Sequence, residues 1–167
     1  MSQQSWKQHA GTLAAALFAT TLCVAVSSAF AGECPTDKRV PDGQGQKMVT
    51  TGAVGVVDVV RSSTDLGKEA PMLKDRQFRL RTLDIAPGGV VPWHSHNERP
   101  AQIYNIVKGE IIEYASNCAV PIVHRAGDVA PERNGTSHWW KNDTKEPVLL
   151  ISVDIFHDKA GADKKMM

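Results

Sequence analysis

The sequence predicts an all-β fold, a sandwich or closed barrel, and three observations point there. From Arg76 onward the chain alternates with a period of two, Phe78, Leu80 and Thr82 against Arg79, Arg81 and Leu83, which is the signature of a half-buried strand. Turn formers then interrupt this texture at short intervals: Pro87-Gly88, Lys108-Gly109, Ser116-Asn117, Gly127-Asp128 and Asn142-Asp143. Short strands between such turns belong to sandwiches and barrels, and no segment carries a convincing long helical pattern. Closing the sheet also hides strand edges, which suits an exported protein.

The chain of 167 residues has no internal repeat and reads as a leader followed by one domain. Lys7 and His9 precede an apolar run from Leu13 to Val26, and Ala29-Phe30-Ala31 has the small-x-small form of a signal-peptidase site. Residues 1–31 are therefore expected to be a signal peptide cut after Ala31, and the location periplasmic or secreted. The apolar run is short for the about 20 residues of a membrane span. Cys23 follows Thr-Thr-Leu and lacks the small residue that precedes a lipoprotein cysteine.

Cleavage removes Lys7 from the 19 Lys+Arg and nothing from the 18 Asp+Glu. This balance, without a basic run, gives no footprint for nucleic acid or for an acidic membrane surface. The expected partner is a small-molecule substrate or ligand, with no nucleic acid and no stable membrane insertion after cleavage. Of the three cysteines, Cys34 and Cys118 remain. In an oxidising compartment an even pair reads as a disulfide, stabilising by roughly 3–5 kcal/mol, with two unpaired thiols as the alternative.

Taken in order, residues 32–47 are rich in Pro, Gly, Asp and Gln and read as an arm. Met48 to Val60 holds one or two strands, and Ser62 to Lys74 a loop with room for a helical turn. Strands follow Arg76 and then lie at about 88–96, 102–107, 110–116, 121–125, 136–141 and 147–156. The expected organisation is an arm with first strands over 32–74, a barrel over 75–157 and a tail over 158–167, where Lys164-Lys165 reads as solvated.

The chemistry sits in two runs, Gly88 to His96 and Gly127 to Asn142. His94 and His96 are two apart, so on a strand both imidazoles face the same side, and Pro92 with Gly88-Gly89 favours an extended entry. His138 follows on a separate strand. Three imidazoles converging from two strands suit a divalent metal such as Fe, Mn, Zn, Ni or Cu, with coordination positions left open for water or substrate. His9, His124 and His157 have no ligand-like spacing and receive no role.

These runs resemble the two motifs of the cupin superfamily. Gly88, His94, His96 and Gly109 match the first motif, and Gly127, Gly135, His138 and Asn142 the second. The second motif's proline is displaced to Pro131. The resemblance implies a double-stranded β-helix, or jelly-roll barrel, preceded here by an N-terminal arm. It also implies a metal on His94, His96 and His138, and a homodimer joined through sheet edges. The first motif's metal-binding glutamate is replaced, counting back from Gly109, by Gln102, whose amide oxygen can bind but brings no charge. Glu98, sharing strand parity with the histidines, is the rival fourth ligand, and water is the third option. Without a carboxylate the ion keeps its full formal charge, which favours Lewis-acid chemistry and an anionic ligand.

Parity places Tyr104 and Ile106 on the face of Gln102, and Trp140 on that of His138, while Trp93 and Trp139 face away. Such aromatics are expected to fill the core. Arg99 reads as a solvated loop residue. Asn142 is expected to order the turn after its strand. No second acidic residue is visible at a family catalytic position, so catalytic residues are unassigned. Two functions remain: a metalloenzyme of dioxygenase, decarboxylase, isomerase or lyase type acting on a small organic substrate, or a non-catalytic small-ligand or metal-binding protein.

Overall fold

A computed structural model describes residues 32–96 and 102–157. The leader, the 158–167 tail, and Glu98 and Arg99 lie outside the described residues. Eight strands follow one another: β1 (Val54–Asp65), β2 (Arg76–Ser95), β3 (Gln102–Lys108), β4 (Glu110–Ala115), β5 (Ile122–Arg125), β6 (Val129–Glu132), β7 (Ser137–Lys141) and β8 (Val148–His157). They form one antiparallel sheet in the order β5-β4-β7-β2-β8-β3-β6, with β1 paired to β2. Although four strands lie between β5 and β3 on this path, the Tyr104 hydroxyl on β3 lies 2.9 Å from His124 Nδ1 on β5. The sheet must curl on itself to bring them together. The architecture is the expected jelly-roll barrel.

The strand β2 organises the curl. Sequence reading expects a break at Pro87-Gly88, yet the strand runs through and changes neighbours there. Arg76 to Ile85 pair with β8, from His157 back to Val148. Beyond the bend, Val90 pairs with Lys141 and His94 with His138 on β7. Gly88 adopts φ 75°, a left-handed conformation that glycine takes without strain. The bend is held from β7 by Asn142, fully buried, whose Nδ2 donates to the carbonyls of Ile85, Ala86 and Glu146 at 3.1, 3.1 and 2.8 Å. Its main chain exchanges bonds with Gly88 and Gly89. This is the turn-ordering role expected for it.

Two other boundaries differ from expectation. The strand β1 continues through Ser62–Asp65, because Leu80 to Gln77 offer it a partner, and the helical turn follows as α1 (Leu66–Glu69). The short β6, containing Pro131, escapes sequence reading. A proline without an N–H is tolerated here because β6 is the last strand of the path, paired to β3 alone.

The barrel core comprises Leu83, Ile85, Tyr104, Ile106, Ile111, Ala130, Trp140, Val148 and Leu150. At one end the inward row turns ionic. Arg79 donates twice to Asp154, at 2.9 and 2.8 Å. Arg81 lies 2.6 Å from Asp58 and 3.3 Å from Asp154. On β2, therefore, arginines point inward and Phe78 and Leu80 are exposed.

The arm docks on the β4–β5 turn. Cys34 and Cys118 form a disulfide with Cα atoms 5.8 Å apart, closing a separation of 84 residues. Gly45 N bonds the Ser116 carbonyl and Gln46 N that of Ala115. A Cβ on Gly45 would lie 2.4 Å from the Cys118 carbonyl oxygen, so this close approach requires glycine. Trp139, facing outward as expected, stacks on Tyr114 at 4.0 Å and donates to the Lys47 carbonyl.

Two stability measurements follow. Replacing both Cys34 and Cys118 by Ser is expected to lower unfolding free energy in denaturant by about 3–5 kcal/mol, with the barrel's circular dichroism retained. Asp154→Ala, which takes from Arg79 its carboxylate and from Arg81 one of two, is expected to cost about 3–5 kcal/mol in the same assay.

Candidate functional site

Past the bend, β2 carries His94 and His96 toward β7, where His138 is the direct cross-strand partner of His94. His96 and His138 are fully buried and His94 is half-buried. His138 Nε2 lies 2.9 Å from His96 Nε2 and 3.0 Å from His94 Nε2. The three rings thus present one nitrogen each to a common point, as the sequence spacing predicts.

Hydrogen bonds behind the rings decide what those nitrogens carry. His94 Nδ1 lies 2.9 Å from the Pro92 carbonyl, which can only accept, so Nδ1 holds the proton. His138 Nδ1 lies 2.5 Å from Glu113 Oε1. Burial raises the Glu113 pKa, but the attraction and hydrogen bonds of His138 and His124 outweigh it and hold the carboxyl well below the usual range. An ionised Glu113 accepts the proton of His138 Nδ1. Trp140 Nε1 is also 3.1 Å from that nitrogen, but the charge-assisted bond to Glu113 is the stronger partner. With their protons on Nδ1, His94 and His138 therefore turn lone pairs toward each other across 3.0 Å.

That arrangement is repulsive alone and favourable around a cation. Two donors at about 2.1 Å from one ion and at right angles to it stand about 3.0 Å apart, which matches the observed separations. A carboxylate or carbonyl behind a ligating imidazole is also the usual arrangement for fixing its tautomer. The residues present fit a divalent metal.

Gln102, buried on β3, is the direct cross-strand partner of Glu132 on β6. Its amide Nε2 donates to Glu132 Oε2. Glu132 in turn stands 3.4 Å from His96 Nε2 and 3.3 Å from His138 Nε2. Tyr104 and Trp140 line the interior beside them, both buried. Trp140 also stacks on His124 at 4.7 Å.

Three functional neighbours are missed by reading motifs alone. Glu113, Glu132 and His124 surround the histidines, with His124 Nε2 2.8 Å from Glu113 Oε2. Strand parity carries a signal for each: Glu113 shares the inward face of Ile111 and Ala115, His124 that of Ile122, and Glu132 that of Ala130. Burial, and then the surrounding carboxylates of Glu113, Glu132, Asp128 and Glu33, push the Tyr104 phenol far upward. Tyr104 therefore stays protonated; its hydroxyl donates to the Gly32 carbonyl at 3.1 Å and lies 2.9 Å from His124 Nδ1.

Beside His94, Gln102 and Glu132 lies a cavity of about 60 Å³, walled by Val56, Leu83, Val91, Trp140 and Leu150 and reached by Arg81 and Ser152. Ser152 Oγ is buried without a hydrogen-bond partner among the described residues. A second, wider cavity of about 330 Å³ opens under the arm and also borders Glu113 and Glu132.

Glu113→Ala is expected to leave buried N–H groups of His124 and His138 without their acceptor, lowering stability by about 2–5 kcal/mol. Urea unfolding checks this, with Glu113→Gln expected to lose less.

A family model described as a cupin domain matches residues 81–154. No curated protein matches the chain. Among solved structures, a predicted oxalate decarboxylase from Thermotoga maritima superposes with a TM-score of 0.51 at 19% identity, covering 74% of this chain and 98% of that one. An uncharacterized conserved protein with a double-stranded beta-helix domain from Klebsiella pneumoniae gives 0.48 at 20% identity, covering 70% and 86%. At such identities the likeness concerns the fold. Residues 81–154 form a cupin domain with a three-histidine cluster suited to a divalent metal.

Proposed function

We propose that this protein is an exported metal-binding cupin acting as a small metalloenzyme, with His94, His96 and His138 as metal ligands and Gln102 in or beside the ligand shell. The observation that carries the reading is the pair of lone pairs on His94 and His138, aimed at each other by Pro92 and Glu113. Such a pair calls for a cation. Bound there, a divalent ion supplies Lewis-acid or oxygen-activating chemistry.

The chain's own residues favour a small organic acid as substrate. The cavity beside His94 holds a ligand of only a few heavy atoms, and much of its wall is apolar. On its wall the Ser152 hydroxyl, a donor with no described partner to lose, suits a carboxylate oxygen, beside the Arg81 guanidinium that Asp58 and Asp154 hold. Export rests on the leader motif, and the Cys34–Cys118 disulfide accords with an oxidising compartment.

A non-catalytic cupin that holds the metal or a small ligand is the alternative, and the tightness of the cavity is what favours it. Turnover of short carboxylic acids by the metal-loaded protein would decide for the enzyme, and an inert, saturated metal for the binder.

Elemental analysis of mature protein purified without an affinity tag is expected to find near-stoichiometric transition metal, lost in His138→Ala. Iron or copper would direct the search to oxygen chemistry and zinc to Lewis-acid reactions. Protein that neither contains metal nor binds it on reconstitution would remove the metalloenzyme reading.

A further inference from the structure

We infer that Glu132 supplies the carboxylate that the first motif lacks: it is a metal ligand of this site, and Gln102 is the residue that positions it. The inference rests on the metal reading above and deepens it. Gln102 occupies the motif's acidic position on β3, and Glu132 is directly opposite on β6. Side chains facing each other on adjacent strands have Cβ atoms only about 4.5–5.5 Å apart. A carboxylate moved across that pair still reaches the same interior. Glu132 is 7% exposed, and its two oxygens stand 3.3 and 3.4 Å from His138 Nε2 and His96 Nε2.

The chemistry of these contacts points to a cation among them. With its proton on Nδ1 facing Glu113, His138 presents a lone pair to Glu132 Oε1 as it does to His94. His138 Nε2 thus faces two acceptors, with His96 Nε2 also 2.9 Å away. An ion bound between them turns both contacts into ligand–ligand spacings. Gln102 contributes through its other end: the amide N–H donates to Glu132 Oε2, which turns the carboxylate toward the histidines and leaves the amide without the role of a charged ligand. The donor set is then three neutral imidazoles and one carboxylate, lowering the formal charge of a divalent ion from about +2 to about +1 and stabilising its oxidised states relative to an all-neutral set.

The test titrates apo protein with Zn²⁺ against a chromophoric chelator and with Co²⁺ by its visible spectrum, using wild type, E132Q, Q102A and the exchanged double variant Q102E/E132Q. Expected are a loss of Zn²⁺ affinity in E132Q of at least about 100-fold, a smaller loss of about 10-fold in Q102A, and a changed Co²⁺ spectrum in E132Q. Recovery of most of the lost affinity is expected in the exchanged variant, where the carboxylate returns to β3. E132Q that folds as wild type and keeps both affinity and spectrum overturns the inference while leaving the three-histidine site intact. A wild type that binds neither ion fails the metal reading, and this inference with it. Should E132Q not fold, Glu132→Asp replaces it: an unchanged Co²⁺ spectrum with the carboxylate one methylene short counts against coordination, and a shifted one supports it.

Discussion

Everything in this site depends on how β2 changes partners. A strand has two edges, and here the β7/β8 side of β2 is divided between two neighbours, β8 up to Ile85 and β7 from Val90. The hand-over exposes main-chain carbonyls that would otherwise be buried without donors, a cost comparable to a lost hydrogen bond for each. The Asn142 side chain supplies the donors at Ile85 and Ala86 and ties them to the Glu146 turn. Because Asn142 directly follows β7, the group that holds the bend also sets β7 in register with β2. A one-residue shift of register between Val91 and His94 then brings His94 opposite His138.

A second layer of constraint is electrostatic. Buried carboxylates are stable only when donors surround them, and each one here is used to orient something else. Glu113 bridges His124 and His138, setting both tautomers. Asp154 gathers Arg79 and Arg81. Cross-strand register connects these groups into a row, from Arg79 to Asp154 to Gln102 to Glu132, across four adjacent strands. The barrel interior is therefore apolar at one end, around Ile85, Ile106 and Val148, and polar at the other, and the cavity next to His94 lies where the two meet.

The arm serves the barrel rather than standing apart from it. Its disulfide and its bonds to Ser116 and Ala115 pin the β4–β5 turn, and those strands carry Glu113 and His124. Gly32 closes the same end, its carbonyl 3.1 Å from the Tyr104 hydroxyl. The arm's disulfide and the hydrogen-bond chain behind His138 thus lie at the same pair of strands.

The sequence by itself determined the features that depend on local spacing. Period-two alternation and turn pairs specify short strands, His-x-His puts two imidazoles on one face, and the glycines and Asn142 mark the bends between. Those are rules of backbone geometry and need no partner strand. Which face of β2 turned inward was decided by the tertiary structure: Phe78 and Leu80 are the more apolar row, yet Arg79 and Arg81 are inside because Asp154 and Asp58 await them there. The same holds for Glu113, His124 and Glu132, whose place beside the metal-suited cluster arises from a curl that brings β5 and β6 to strands distant in sequence. No spacing along the chain encodes that meeting, because it is set by which strands pair and in what register.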